Sequence, residues 1–165
     1  MNSQRLLFWV QAAGIAALYV VLTFLSGLFG LAVGLFEFRL SEGLCILPVF
    51  TPAAVPGLFA GCFLANLFCG GTVWDAVLGS LATLLGALFT RYFRKKKFLP
   101  LFSPVFFNSL IVPPVLYFLS GVGNGKGFFT LFLLFFAGEF ASVFLLGIPL
   151  KKSVEKTGLF TDPRR

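Results

Sequence analysis

FFTLFLLFFAGEFASVFLLGIPL, residues Phe128 to Leu150, is an apolar run with a single charge, Glu139, near its middle. At about 1.5 Å per residue, a helix of this length crosses about 30 Å of hydrocarbon. An ionisable side chain at that depth costs roughly 2.5 kcal/mol or more, so it faces a cavity or a partner and marks a functional site. The run thus predicts a membrane helix and, on it, the centre of a binding site.

The rest of the chain has the same character. Hydrophobic residues make up 58% and charged residues only 12%, with a mean hydropathy of +0.97, far from the balance of a soluble domain. The apolar runs lack the alternating ten-residue segments of a membrane barrel. The expected fold is an all-α integral membrane bundle of six transmembrane helices, with both termini cytoplasmic and a short second helix. Its helices are expected at roughly 6–29, 41–50, 52–69, 74–94, 104–120 and 128–150, with a cytoplasmic tail at 151–165, all in one domain.

The punctuation supports these bounds. Pro52 and Pro56 suit a first helical turn, with Thr51 as its cap. Gly70-Gly71 is a turn, Ser103-Pro104 opens the fifth helix, and Pro113-Pro114 interrupts it. The first apolar run is too long for a signal segment, and no small-residue cleavage motif follows it, so it is expected to be a retained helix.

The formal charge is +7, gathered at Arg5, at Arg91 to Lys97 and from Lys151 to Arg165. By the positive-inside rule these three places are cytoplasmic, so the charge is read as topology and lipid contact, with no nucleic-acid partner. An even number of crossings then separates Arg5 from Arg91. The short segment from Gly43 to Phe50 must therefore cross, which puts the mixed-charge cluster Phe36 to Glu42 on the outer face.

Polar residues in the spans are few. Glu139 and Ser142 share a face of the last helix, and Asn108 and Tyr117 share one only if the proline pair rotates the upper half of theirs. A polar cavity is expected between Glu139, Asn108 and Asn66, covered from outside by Phe36 to Glu42. A purely structural Glu139–Asn108 hydrogen bond is the competing reading. Small residues at helical spacing, Ala12/Ala16, Ala13/Ala17 and Gly57/Gly61/Ala65, read first as packing faces.

Several chemistries are excluded. No GxxxxGK[ST] loop is present, so the chain does not itself use ATP. With no histidine there is no Ser/His/Asp or Cys/His set. No second acid stands near Glu139 in the spans, which disfavours a proton relay and paired-acid hydrolysis. Cys45, Cys62 and Cys69 form no CxxC pair and read as small packing residues. No catalytic residue, metal or cofactor is expected, and the chain is not read as an enzyme.

The segments FEFRLSEG (Phe36 to Gly43), LPVFTPAAVPGLFAGCFLAN (Leu47 to Asn66), WDAVLGSLATLLGA (Trp74 to Ala87), FNSLIVP (Phe107 to Pro113), AGEF (Ala137 to Phe140) and GIPL (Gly147 to Leu150) follow in that order. Together they closely resemble the QueT family of queuosine-precursor transporters, over about Ala12 to Leu150. These are substrate-binding S components of energy-coupling factor (ECF) importers. The resemblance implies a multi-pass protein of the bacterial cell membrane that captures a 7-deazaguanine such as preQ1, preQ0 or queuine outside. It would deliver that base inward by docking Ala12, Ala13, Ala16 and Ala17 onto a transmembrane coupling subunit served by two ATPase subunits.

Under that resemblance Glu139 accepts the N–H donors of a guanine-like edge as a bidentate pair, and Asn108 reads the carbonyl and ring nitrogen. Phe38, Tyr117 or Trp74 stacks on the ring, and Glu37 or Glu42 faces an aminomethyl substituent. Arg39 pairs with Glu42 to hold the outer segment as a lid. Some family members carry a glutamate where this chain has Pro113-Pro114-Val115, a departure that bears on which base is taken. Two other readings stay open: an S component for another vitamin-like ligand, and a non-transporting membrane scaffold.

Overall fold

A computed structural model describes residues 3–31, 38–119, 127–158 and 160. Among them the regular structure is all helical, with six helices and no strand. They are α1 (Ser3–Leu28), α2 (Leu40–Val49), α3 (Ala54–Phe68), α4 (a π-helical turn Asp75–Gly79 continued by Ser80–Tyr92), α5 (Leu99–Phe118) and α6 (Phe128–Thr157). Of these, α1, α5 and α6 are each long and apolar enough to cross a membrane.

Helix α2 explains how a short segment can serve the bundle. It is a 3₁₀ helix of 10 residues, and at about 2.0 Å per residue it reaches about 20 Å, where an α-helix would reach about 15 Å. Every residue from Ser41 to Val49 is buried. Its ends are tied to other helices. The Arg39 and Leu40 amides donate to Ser142 Oγ of α6 (3.1 Å) and Ser26 Oγ of α1 (2.8 Å). At the far end the Pro48 and Val49 carbonyls accept from Arg91 Nη1 of α4 at 3.2 and 3.3 Å. These bonds satisfy backbone groups that a helix leaves open at its ends and that hydrocarbon cannot solvate.

The inward face of α1 is Ala12, Ile15, Ala16, Tyr19, Thr23 and Ser26, a helical stripe of small and polar residues. It meets the glycines of α3 almost backbone to backbone. A methyl group at Gly57 would sit 2.7 Å from the Ala12 carbonyl oxygen, and one at Gly61 would sit 2.7 Å from Tyr19 Cβ. Close approach of this kind is how helices associate in lipid. Ala12 and Ala16 are thus spent on internal packing, while Ala13 and Ala17 are exposed on the opposite side. Of the four alanines expected to dock a partner, Ala13 and Ala17 are the pair at the surface.

Some helix bounds also differ from expectation. Helix α6 runs on to Thr157, with Val154 buried against the core, so most of the expected tail is helical. Lys151 marks where hydrocarbon should end, and nothing there stops a helix. Gly158 does, in a left-handed conformation with φ 63°. Helix α5 starts at Leu99, because Pro100 fits its first turn, and it continues through Pro104, Pro113 and Pro114. The proline pair therefore does not interrupt it.

Candidate functional site: a polar cavity inside the bundle

Residues from all six helices line a partly open cavity of about 630 Å³. One end carries the exposed residues Phe68, Cys69, Gly70 and Gly71, at the close of α3 and the turn into α4. The opposite, inner end is polar. Glu42 and Glu139 line it together with Asn108, and they are 2%, 3% and 3% exposed respectively.

These three side chains form one network. Asn108 Nδ2 donates to Glu42 Oε2 at 3.2 Å and to Glu139 Oε1 at 3.3 Å. Glu42 also accepts from the Tyr19 hydroxyl through Oε1 and from Cys45 Sγ through Oε2 at 3.1 Å. Both oxygens of Glu42 are therefore occupied by protein donors, which compensates the burial of a carboxylate. Asn108 Oδ1 is different: it is buried and accepts no hydrogen bond.

On the outward side, Arg39 Nη1 donates to Asn66 Oδ1 at 3.2 Å. Asn66 Nδ2 donates to the Asp75 carbonyl at 3.0 Å and contacts Cys62 Sγ at 3.6 Å. Asp75 and Thr72 cap the start of α4 reciprocally. Thr72 N and Oγ1 donate to Asp75 Oδ2 at 2.8 and 2.7 Å, and Asp75 N donates to Thr72 Oγ1 at 3.2 Å. The π-turn that begins at Asp75 widens the helix beside the cavity, a distortion frequent at functional sites.

Of the residues singled out in the sequence, Glu139, Asn108, Asn66, Arg39 and Glu42 all line the cavity. Glu42 is a correction to the expected outer cover: it is a core residue that joins Glu139 through Asn108, so two acids converge where one was expected. Tyr117 is not at the cavity. Its ring packs on Phe118 and Phe128, with centroids 5.0 and 5.6 Å away. Phe38 is half-buried and Trp74 exposed, and neither lines the cavity. Glu37 lies outside the described residues.

The aromatic lining is instead Phe24, Phe68 and Phe135. Phe135 precedes Glu139 by four residues, so helical spacing alone could have identified it. Tyr19 was also missed, although it shares a stripe with Thr23 and Ser26 on α1. Cys45 and Cys62 are buried as expected, but Cys45 donates to Glu42 and Cys62 Sγ accepts from Thr83 Oγ1 at 3.4 Å. Cys69, expected to be packed, is exposed.

A helical membrane bundle with a partly open, mostly apolar cavity and carboxylate and amide acceptors at its inner end defines a small-molecule binding protein of the membrane. Comparison with known proteins gives the family. The model of the QueT transporter family matches residues 9–156, and the chain belongs to that family. It is 31% identical over 156 residues to the queuosine precursor transporter QueT of Lactococcus lactis subsp. cremoris (strain MG1363), covering 92% of this chain and 77% of that protein. No solved structure matches the chain.

Proposed function

We propose that this chain is the substrate-binding component of an ECF-type importer of the bacterial cell membrane. It takes up a queuosine precursor, a 7-deazaguanine base, from outside and passes it to the cytoplasm. The energy comes from a transmembrane coupling subunit with two ATPase subunits. The relative's name supplies the substrate class. The observation that carries the reading is the buried, unsatisfied Asn108 Oδ1 next to Glu139.

Together these groups form an acceptor-rich edge, and a guanine-like base presents the matching donors, N1–H and the 2-amino group. Asn108 Nδ2 is committed to the two carboxylates, so Asn108 serves the ligand as an acceptor, not as the reader of a carbonyl. Phe135 and Phe24 offer faces for the flat ring. The topology is consistent with capture from outside. Arg5 and Arg94 to Lys97 lie at the ends of α1 and α4 opposite to Phe68 and Gly70, and by the positive-inside rule those basic ends are cytoplasmic.

The outward face of α1 is the proposed docking surface. Ala13 and Ala17 are exposed, and a methyl group at neighbouring Gly14 would meet nothing within 4 Å. The test is Ala17→Trp, measured in cells that carry the chain with its energising module. Uptake of labelled base falls by about tenfold or more, and co-purification of the coupling subunit is lost. Base binding to the isolated protein is unchanged, because Ala17 faces away from the cavity. Undiminished uptake would refute the docking face, and no uptake by the unaltered chain would refute the importer.

A further inference from the structure

With the proposed function as its basis, the placement of the base leaves one group to be matched. Along its edge a 7-deazaguanine presents the 2-amino group, N1–H and then the 6-carbonyl oxygen. The first two are donors and suit Glu139 and Asn108 Oδ1. The third is an acceptor and needs a donor beside them. Most side-chain donors of the cavity wall are engaged within the protein. Asn108 Nδ2 serves Glu42 and Glu139, and Asn66 Nδ2 serves the Asp75 carbonyl and contacts Cys62 Sγ. The Thr83 hydroxyl has acceptors in the Gly79 carbonyl (3.1 Å) and Cys62 Sγ (3.4 Å), and the Thr23 hydroxyl in the Tyr19 carbonyl (2.9 Å) and Ser41 Oγ (2.8 Å).

Arg39 is placed differently. Its backbone amide is tied to Ser142 Oγ of α6 at 3.1 Å, and Ser142 stands three residues from Glu139 on the same face of that helix. Its guanidinium reaches Asn66 Oδ1 of α3 at 3.2 Å. Arg39, Asn66 and Glu139 all line the cavity, so the side chain runs along the wall from the α6 side, beside Glu139, to the α3 side. A guanidinium carries five N–H donors in a rigid fork. Holding Asn66, and other protein acceptors besides, is therefore compatible with donating to a ligand oxygen.

We infer that Arg39 is a specificity-determining residue that donates to the 6-carbonyl oxygen of the base, next to the two donors taken by Glu139 and Asn108. The wall then reads the whole edge, two donors and one acceptor in sequence. A base with an amino group in place of the carbonyl sets donor against donor and is rejected. Arg39 also ties the start of α2 to α3 through Asn66, and a role limited to that tie predicts a different outcome. Losing a structural tie moves all ligands together; losing the carbonyl reader moves only those ligands that present a strong acceptor at this position.

The experiment titrates the full chain in detergent with 7-aminomethyl-7-deazaguanine and with its 6-thio counterpart, which keeps every N–H of the edge and replaces the carbonyl oxygen by sulfur, a weak acceptor. The unaltered protein binds the oxo base at least about tenfold more tightly, the worth of one charge-assisted hydrogen bond. Arg39→Met weakens the oxo base by about tenfold, leaves the thio base nearly unchanged and so removes the preference. Arg39→Lys keeps a charged donor but not the fork, and its preference falls below that of the unaltered protein. Equal affinity of the unaltered protein for the two bases overturns the inference while the 7-deazaguanine reading stands, and so does an undiminished preference in either variant. If neither base binds the unaltered protein, the reading beneath falls and the role of Arg39 with it.

Discussion

Replacing Glu139 by glutamine lowers the affinity for the 7-deazaguanine by about 100-fold or more, a loss of roughly 2.7 kcal/mol. Glutamine keeps one acceptor oxygen and loses one charge-assisted hydrogen bond of the bidentate pair, worth roughly 1.5–3 kcal/mol. The amide is also the wrong partner on one side, since its NH₂ would face an N–H of the base. The unliganded protein is little affected, because a glutamine oxygen still accepts from Asn108 Nδ2, now 3.3 Å from Glu139 Oε1. Titration of both proteins with the same base checks this. Equal affinities would remove Glu139 from the ligand site and favour the structural Glu139–Asn108 bond.

Replacing Glu42 by alanine has its main effect on the fold. Three buried donors lose their acceptor at once: the Tyr19 hydroxyl, the Cys45 thiol and one contact of the Asn108 amide. Each orphaned donor costs about 1–3 kcal/mol, partly relieved because helices separated in lipid find other partners. A net loss of several kcal/mol lowers the unfolding midpoint of the ligand-free protein by about 10 °C for a chain of this size. Glu42→Gln retains one acceptor oxygen and loses less. Unfolding in detergent measures both, and a midpoint for Glu42→Ala within about 2 °C of the unaltered protein would show that this network does not anchor α2.

The parts of the site legible in the sequence were those set by strong local signals. A lone carboxylate inside FFTLFLLFFAGEFASVFLLGIPL identified Glu139, and the scarcity of amides in the spans brought in Asn108 and Asn66. All three line the cavity. Glu42 lines the cavity from the core and not from an outer cover; its position beside Arg39 in a mixed-charge cluster, next to a segment too short to cross as an α-helix, hid that placement. The 3₁₀ geometry lengthens that segment and draws Glu42 into the core, and tertiary bonds from Ser26, Ser142 and Arg91 tie down its two ends.

Ala12/Ala16 and Ala13/Ala17 have the same spacing on neighbouring stripes of α1, so the pattern alone could not say which faced inward. The complementary glycines, Gly57 and Gly61, decide it. Tyr117 failed for the opposite reason. Its place depended on a kink at Pro113-Pro114, and α5 passes through both prolines as one helix.

In the proposed function the cavity holds a 7-deazaguanine between Glu139 and Asn108. The most direct measurement is the thermal stabilisation of the purified protein across a panel: 7-aminomethyl-7-deazaguanine, 7-cyano-7-deazaguanine, queuine, queuosine and guanine, with Glu139→Gln in parallel. A ligand that binds the folded state raises the unfolding midpoint by mass action. A saturable shift is expected with at least one 7-deazaguanine and is lost in Glu139→Gln. No shift with any of them at concentrations far above micromolar would contradict it, leaving a different ligand or a scaffold role for the bundle.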